Sequence, residues 1–247
     1  MGSVALYAFV LAAALPRGAA AEEILVFAAA STSDALGEVA RQFSAEAGIA
    51  VAFSFGASSD LQRQVKAGAP ADVFVSADLA SMEALIQAGR VERGAARPLL
   101  SNQLVVVVPR RAPPGIARPA DLTRVRRLAL ADPEAVPAGV YARKWLISLG
   151  LWEAVRARVV PALDVRAALA AVESGAVDAG IVYRTDALER RRVRVALEVP
   201  RSEGPPITYA VAPISGSAHA AAAAAFVRFL VGPAARAVFT RHGFIVL

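Results

Sequence analysis

Three segments of this 247-residue chain place small polar residues where an apolar run gives way to a helical pattern. They are AAASTS (28–33), FGASSDL (55–61) and ADPEAVPAGVY (131–141), and in the last of these Pro137-Ala138-Gly139 opens the helix. A helix N-terminus leaves its first backbone N–H groups unpaired and carries partial positive charge, so it attracts anions. Ser31 and Ser58 could each add a hydroxyl donor. One such segment is a weak signal, because serine is also a common N-cap that does no more than close a helix. Three of them, each at the carboxyl end of a strand, point towards an anion site, with plain capping as the competing reading. Asp60 lies in the first turn of the helix that Ser58 opens, where the dipole favours a carboxylate facing solvent.

The elements that would carry these segments alternate strand and helix, the pattern of an α/β fold. Strands are predicted over 24–30, 51–55, 72–76 and 104–109, the last a fully apolar LVVVVP typical of a buried strand. Helices fall between them at about 33–47, 59–66 and 79–88. After a proline-marked stretch the pattern restarts, with strands at 127–131, 179–183, 194–199 and 207–213 and helices near 139–149, 165–174 and 218–230. Two α/β units follow one another, but the last elements have no place in the second. The economical solution sends the chain out near Leu104 and back near Ile207. Residues 22–103 plus 208–247 would then form one lobe and 104–207 the other, each a mainly parallel sheet flanked by helices, with ligand in the cleft between them. Charge divides the same way: nine basic against ten acidic residues in the first lobe, 17 against 11 in the second. A positive lobe would draw anions towards the cleft, although any one arginine reads equally well as a solvated surface residue.

Residues 1–21 differ from the rest. An apolar run from Val4 to Leu15 breaks at Pro16-Arg17-Gly18 and ends in Ala19-Ala20-Ala21. This suits a cleaved secretory signal peptide, although its n-region lacks Lys and Arg. There is no cysteine, which excludes thiolate zinc sites, disulfides, cysteine nucleophiles and a lipid-modified N-terminal cysteine. The expectation is a periplasmic protein that is free rather than membrane-anchored. An exported hydrolase is disfavoured: no G-x-S-x-G surrounds Ser31, Ser58 or Ser59, and the two histidines, His219 and His242, lack triad or metal spacing. Nucleic-acid binding rests only on the net charge of +6, without aromatic interleaving or a recognition motif.

The segments VFAAAST (26–32), SFGASSDLQRQVKAGAPADVFVSAD (54–78), DPEAVPAGVYA (132–142), DVRAALAAVESG (164–175), GIVYRTDA (180–187) and RHGFIVL (241–247) strongly resemble the periplasmic molybdate-binding proteins of ABC importers. The likeness runs in order over essentially the whole chain after residue 21. It implies a type II periplasmic binding protein fold and no enzymatic activity. It implies no cofactor and no cation site, with molybdenum present only as the molybdate oxyanion, and tungstate as a second ligand. The family's ligand contacts fall on Ser31, Ser58, Ala138, Val165 and Tyr183, and Tyr183 is the one that the helix-end pattern does not pick out. The implied partner is an inner-membrane ABC permease, and the implied state a monomer. Sulfate or phosphate remains the alternative ligand. A donors-only site disfavours phosphate, which at neutral pH partly carries a proton that needs an acceptor.

Overall fold

The structure, a computed structural model, describes residues 22–112, 115–188 and 190–247. The predicted signal peptide lies outside the described residues. The chain first lays down β1 (Glu23–Ala29), α1 (Ser33–Ala47), β2 (Ala50–Gly56), α2 (Ser58–Lys66), β3 (Val73–Ser76), α3 (Leu79–Gln87) and β4 (Arg97–Ser101). A second group follows: β5 (Leu104–Pro109), β6 (Leu128–Ala131), α4 (Pro137–Ser148), α5 (Trp152–Val155), β7 (Val159–Ala162), α6 (Val165–Glu173), β8 (Ala179–Tyr183), α7 (Arg184–Ala187) and β9 (Val193–Glu198). The chain ends with β10 (Tyr209–Pro213), α8 (Ala220–Leu230), α9 (Pro233–Arg241) and β11 (Ile245–Val246).

These strands form two sheets, ordered β11-β4-β10-β3-β1-β2 and β7-β6-β8-β5-β9. The α/β architecture and its two helix-flanked sheets are those of a type II binding protein, but the sheets are mixed rather than mainly parallel. β1 pairs parallel with β2 and β3, and β6 with β7 and β8. β10 runs antiparallel to β3 and β4, and β5 antiparallel to β8 and β9. β10 and β5 each enter their sheet directly from the other one, without the helical crossover that makes a parallel pair. Only residues 102–103 separate β4 from β5, and residues 199–208 return the chain from β9 to β10.

Local sequence explains the individual elements. The apolar side chains Leu36, Val39, Ala40 and Phe43 recur at helical spacing along α1 and are buried. That helix stops at Gly48, whose φ of +69° is the left-handed conformation that favours glycine. β5 is buried from Leu104 to Val108, as its unbroken apolar run requires of a strand covered on both faces. Phe43 packs edge-on to Phe226 with ring centres 5.0 Å apart, which docks α8 on α1. Among the described residues no single helix is long and apolar enough to cross a membrane.

The histidines serve the scaffold. His219 Nδ1 lies 3.3 Å from the buried Asp72 carboxylate, which also accepts from Leu25 N at 2.7 Å. His242 Nε2 lies 2.9 Å from Glu38 Oε2, tying the end of α9 to α1. Among the described residues no group of three or more His, Cys, Asp or Glu side chains could hold a metal ion.

Candidate functional site

The helix-end segments predicted from sequence converge. Ala29–Ser31, Gly56–Ser58 and Ala77 on one side face Val136–Ala138, Asp164, Val165 and Tyr183 on the other across a narrow cleft. The structure thus brings together Ser31, Ser58, Ala138, Val165 and Tyr183, all between 1 and 4% exposed. The first two come from the sheet of β1 and the other three from the sheet of β6.

Each position is set by how its element begins. β1 runs into a short 3-10 turn, Ala30–Thr32, before α1, and this turn carries Ser31. Ser58 is the first residue of α2, and its hydroxyl oxygen accepts from the backbone N–H of Ala77 at 2.9 Å. That bond occupies the oxygen as an acceptor and leaves the hydroxyl hydrogen free to donate. Pro137 starts α4 and has no N–H, while Val140 N already bonds Val136 O at 2.9 Å. Ala138 and Gly139 therefore supply the first open N–H groups of α4. A Cβ on Gly139 would lie 2.0 Å from the carbonyl oxygen of Ala131 and 2.5 Å from that of Asp132. Only glycine lets α4 begin so close to the end of β6. Val165 opens α6 behind Asp164, whose carboxylate accepts from Ala167 N at 2.9 Å.

Tyr183 ends β8 with its side chain enclosed, and among the described residues its hydroxyl has no hydrogen-bond partner. A buried hydroxyl without a partner is costly, and this one lines the cleft that the helix ends share. Burial, helped by the nearby Tyr209, pushes its phenol well above the ordinary range. It therefore remains a neutral donor throughout the physiological range.

Sequence reasoning missed two charged residues here. Asp164 is the one carboxylate among the cleft-lining residues, and its capping bond to Ala167 holds it in place. Arg166, the next residue but one, spans the cleft. Its guanidinium lies 2.9 Å from Asp34 on α1 and 2.8 Å from the fully buried Asp186 of α7, and its Nη2 approaches Ser31 O at 3.5 Å. Arg190 reaches Asp34 as well, at 3.1 Å. Burial pushes the Asp186 carboxyl up to about 7, with Arg166 pulling against it. The DVR segment was a visible signal for Arg166, but its partners lie 132 and 20 residues away in sequence. Asp60 ion-pairs with Arg63 on the outer face of α2, away from the cleft, as its place in the first turn had led us to expect.

Chemically, the cleft presents two serine hydroxyls, one tyrosine hydroxyl and the open N–H groups of α4 and α6, with no cationic side chain among the lining residues. Such a set can strip and hold a small, compact, multiply charged anion.

The chain matches the family of bacterial extracellular solute-binding proteins over residues 24–245. It is 39% identical to the molybdate-binding protein ModA of Escherichia coli over 244 residues, 96% of this chain and 95% of that protein. It is 36% identical to the molybdate-binding protein ModA of Haemophilus influenzae, covering 92% of this chain and 91% of that one. Among solved structures, the periplasmic molybdate-binding protein of Azotobacter vinelandii superposes with a TM-score of 0.82 at 27% identity, over 91% of this chain and 99% of that one.

Proposed function

The chain belongs to the bacterial extracellular solute-binding proteins, and from that premise we propose that it captures molybdate, with tungstate as a second ligand, for an ABC importer. Ser31 Oγ, Ser58 Oγ, Tyr183 Oη and the backbone N–H groups of Ala138 and Val165 are the proposed ligand contacts. The observation that carries this reading is Tyr183: a buried, neutral, unpartnered hydroxyl in a cleft otherwise lined by helix ends. Relatives that resemble this chain over nearly its whole length are molybdate-binding proteins, which supports molybdate over other oxyanions.

The physical logic is replacement of a hydration shell. A tetrahedral dianion gives up water on entry, and each hydrogen bond to a charged group returns roughly 1.5–3 kcal/mol. Donors fixed on helix termini and on a packed tyrosine define a cavity of one size, so a smaller anion such as sulfate makes poorer contacts. The lobes, 22–103 plus 208–247 and 104–207, act as closing jaws. The anion lands on one, the crossovers at 102–103 and 199–208 bend, and the other completes the donor shell. The closed form then docks on an inner-membrane permease. In this reading the protein is a free periplasmic monomer with a cleaved signal peptide. It binds and carries its cargo without transforming it, and it needs no cofactor.

Calorimetric titration with molybdate, tungstate, sulfate and phosphate tests the proposal. Molybdate and tungstate are expected to bind below micromolar concentration, and sulfate and phosphate far more weakly. Absence of molybdate and tungstate binding at micromolar levels overturns it. Preferential binding of phosphate would instead assign Asp164, the one lining carboxylate, as the acceptor of a ligand proton.

A further inference from the structure

Ser31 is the one proposed hydroxyl contact with a side-chain partner behind it. Its Oγ lies 3.0 Å from the hydroxyl of Tyr209, the first residue of β10. Geometry alone allows either oxygen to donate, but the surroundings decide. Asn102, in the first crossover, takes the N–H of Gln103 on its Oδ1 at 2.9 Å. That bond fixes the amide so that Nδ2 faces Thr185 Oγ1 at 2.8 Å and Tyr209 Oη at 3.3 Å. Tyr209 Oη thus accepts from Asn102. Its own hydrogen, on a fully buried side chain, must find an acceptor, and among the described residues Ser31 Oγ is the one within reach. With that oxygen accepting from Tyr209, the Ser31 hydrogen is left to point into the cleft. Ala77 N–H holds Ser58 in the same polarity.

We propose that Asn102 and Tyr209 are positioning residues that polarise Ser31 as a dedicated hydrogen-bond donor to the oxyanion. They form a relay of donors running from the interlobe crossover to the ligand. The inference rests on the oxyanion reading above and extends it to residues that do not touch the ligand. The relay also links the cleft to both crossovers, because Asn102 sits in one and Tyr209 directly follows the other. Each bond in it runs in one direction, from the Asn102 amide through the phenol to the serine, and each strengthens the next by polarisation.

A double-mutant cycle on the full-length mature protein, read by calorimetric titration with sodium molybdate, tests it. Tyr209→Phe is expected to weaken binding about five- to tenfold in the native background, the contribution of one hydrogen bond. In a Ser31→Ala background the same substitution is expected to change affinity by less than about twofold, because Tyr209 then has no hydroxyl to orient. An equal loss in both backgrounds, or no loss in the native one, overturns the relay while leaving the oxyanion reading intact. If the unsubstituted protein does not bind molybdate, the oxyanion reading and the relay fall together. Should Tyr209→Phe not fold, Asn102→Ala is judged by the same coupling to Ser31.

Discussion

Replacing Tyr183 with phenylalanine separates ligand binding from stability, because the two effects have opposite signs. The Tyr183 ring is buried and its hydroxyl has no partner among the described residues. Removing the oxygen therefore breaks no internal hydrogen bond, and it relieves a buried polar group whose desolvation costs about 1–3 kcal/mol. The ring itself keeps its packing, tilted 58° against Tyr209 with centres 5.9 Å apart. Thermal unfolding of the ligand-free Tyr183→Phe protein is thus expected at the same temperature or a few degrees higher, at about 2–4 °C per kcal/mol for a chain of this size. Binding should move the other way. A hydrogen bond to a charged ligand contributes about 1.5–3 kcal/mol, so molybdate affinity should fall roughly ten- to a hundredfold. Titration calorimetry and a thermal melt on the same preparation measure both. An unchanged affinity would remove Tyr183 from the site. An affinity loss accompanied by a fall in unfolding temperature would show that the hydroxyl supports the fold and not the ligand.

Further outcomes follow from the same geometry. Gly139→Ala places a methyl group 2.0 Å from the Ala131 carbonyl oxygen, so the start of α4 must shift and carry the Ala138 N–H with it. We expect a destabilisation of about 1–3 kcal/mol together with weaker molybdate binding; a melt and a titration matching the native protein would contradict this. Asp186 makes stability depend on pH. Burial pushes its carboxyl up to about 7 from an ordinary 3.8, so its contribution is fully present below about pH 4 and is lost as pH rises through 7. Denaturant titrations between pH 4 and 7 should show native stability declining by at most about 1.4 kcal/mol per pH unit through this group, and Asp186→Asn should remove that decline. Arg166→Ala takes away the guanidinium 2.8 Å from Asp186, so the carboxyl should hold its proton to higher pH and the decline should extend above pH 7. A pH profile in Arg166→Ala identical to the native one would mean that the pair does not set the titration.

Much of the scaffold is legible in the residues. The strands at 104–109 and 179–183 and the helix at 33–47 follow the predicted bounds, because each rests on a local period or an unbroken apolar run. The strands that escaped notice have no such signal. β4 begins Arg97-Pro98, β7 contains Pro161, and β11 is two residues long. They exist as strands through their pairing, β4 with residues 209–211 and with 245–246, and β7 with β6. The mixed character of both sheets was hidden for the same reason: strand direction depends on where the chain re-enters, which no local window records.

The site divides along the same line. Residue types and spacing by themselves determined that Ser31, Ser58 and Ala138 stand at helix beginnings, since an apolar run, a small polar residue and a helical period are all local features. The predicted helix at 165–174 puts Val165 at such a beginning too, and resemblance to a family, carried by motifs in the chain, added Tyr183. Only the tertiary structure decided what each of these groups can do. Tyr209 meets Ser31 across 178 residues, Asn102 meets Tyr209 across 107, and Arg166 reaches Ser31 across 135. A hydroxyl both donates and accepts, and its direction depends on which partner occupies its oxygen. The sequence could name the donors, but the direction in which Ser31 donates and the enclosure of the Tyr183 hydroxyl without a partner among the described residues are properties of neighbours that folding alone brings together.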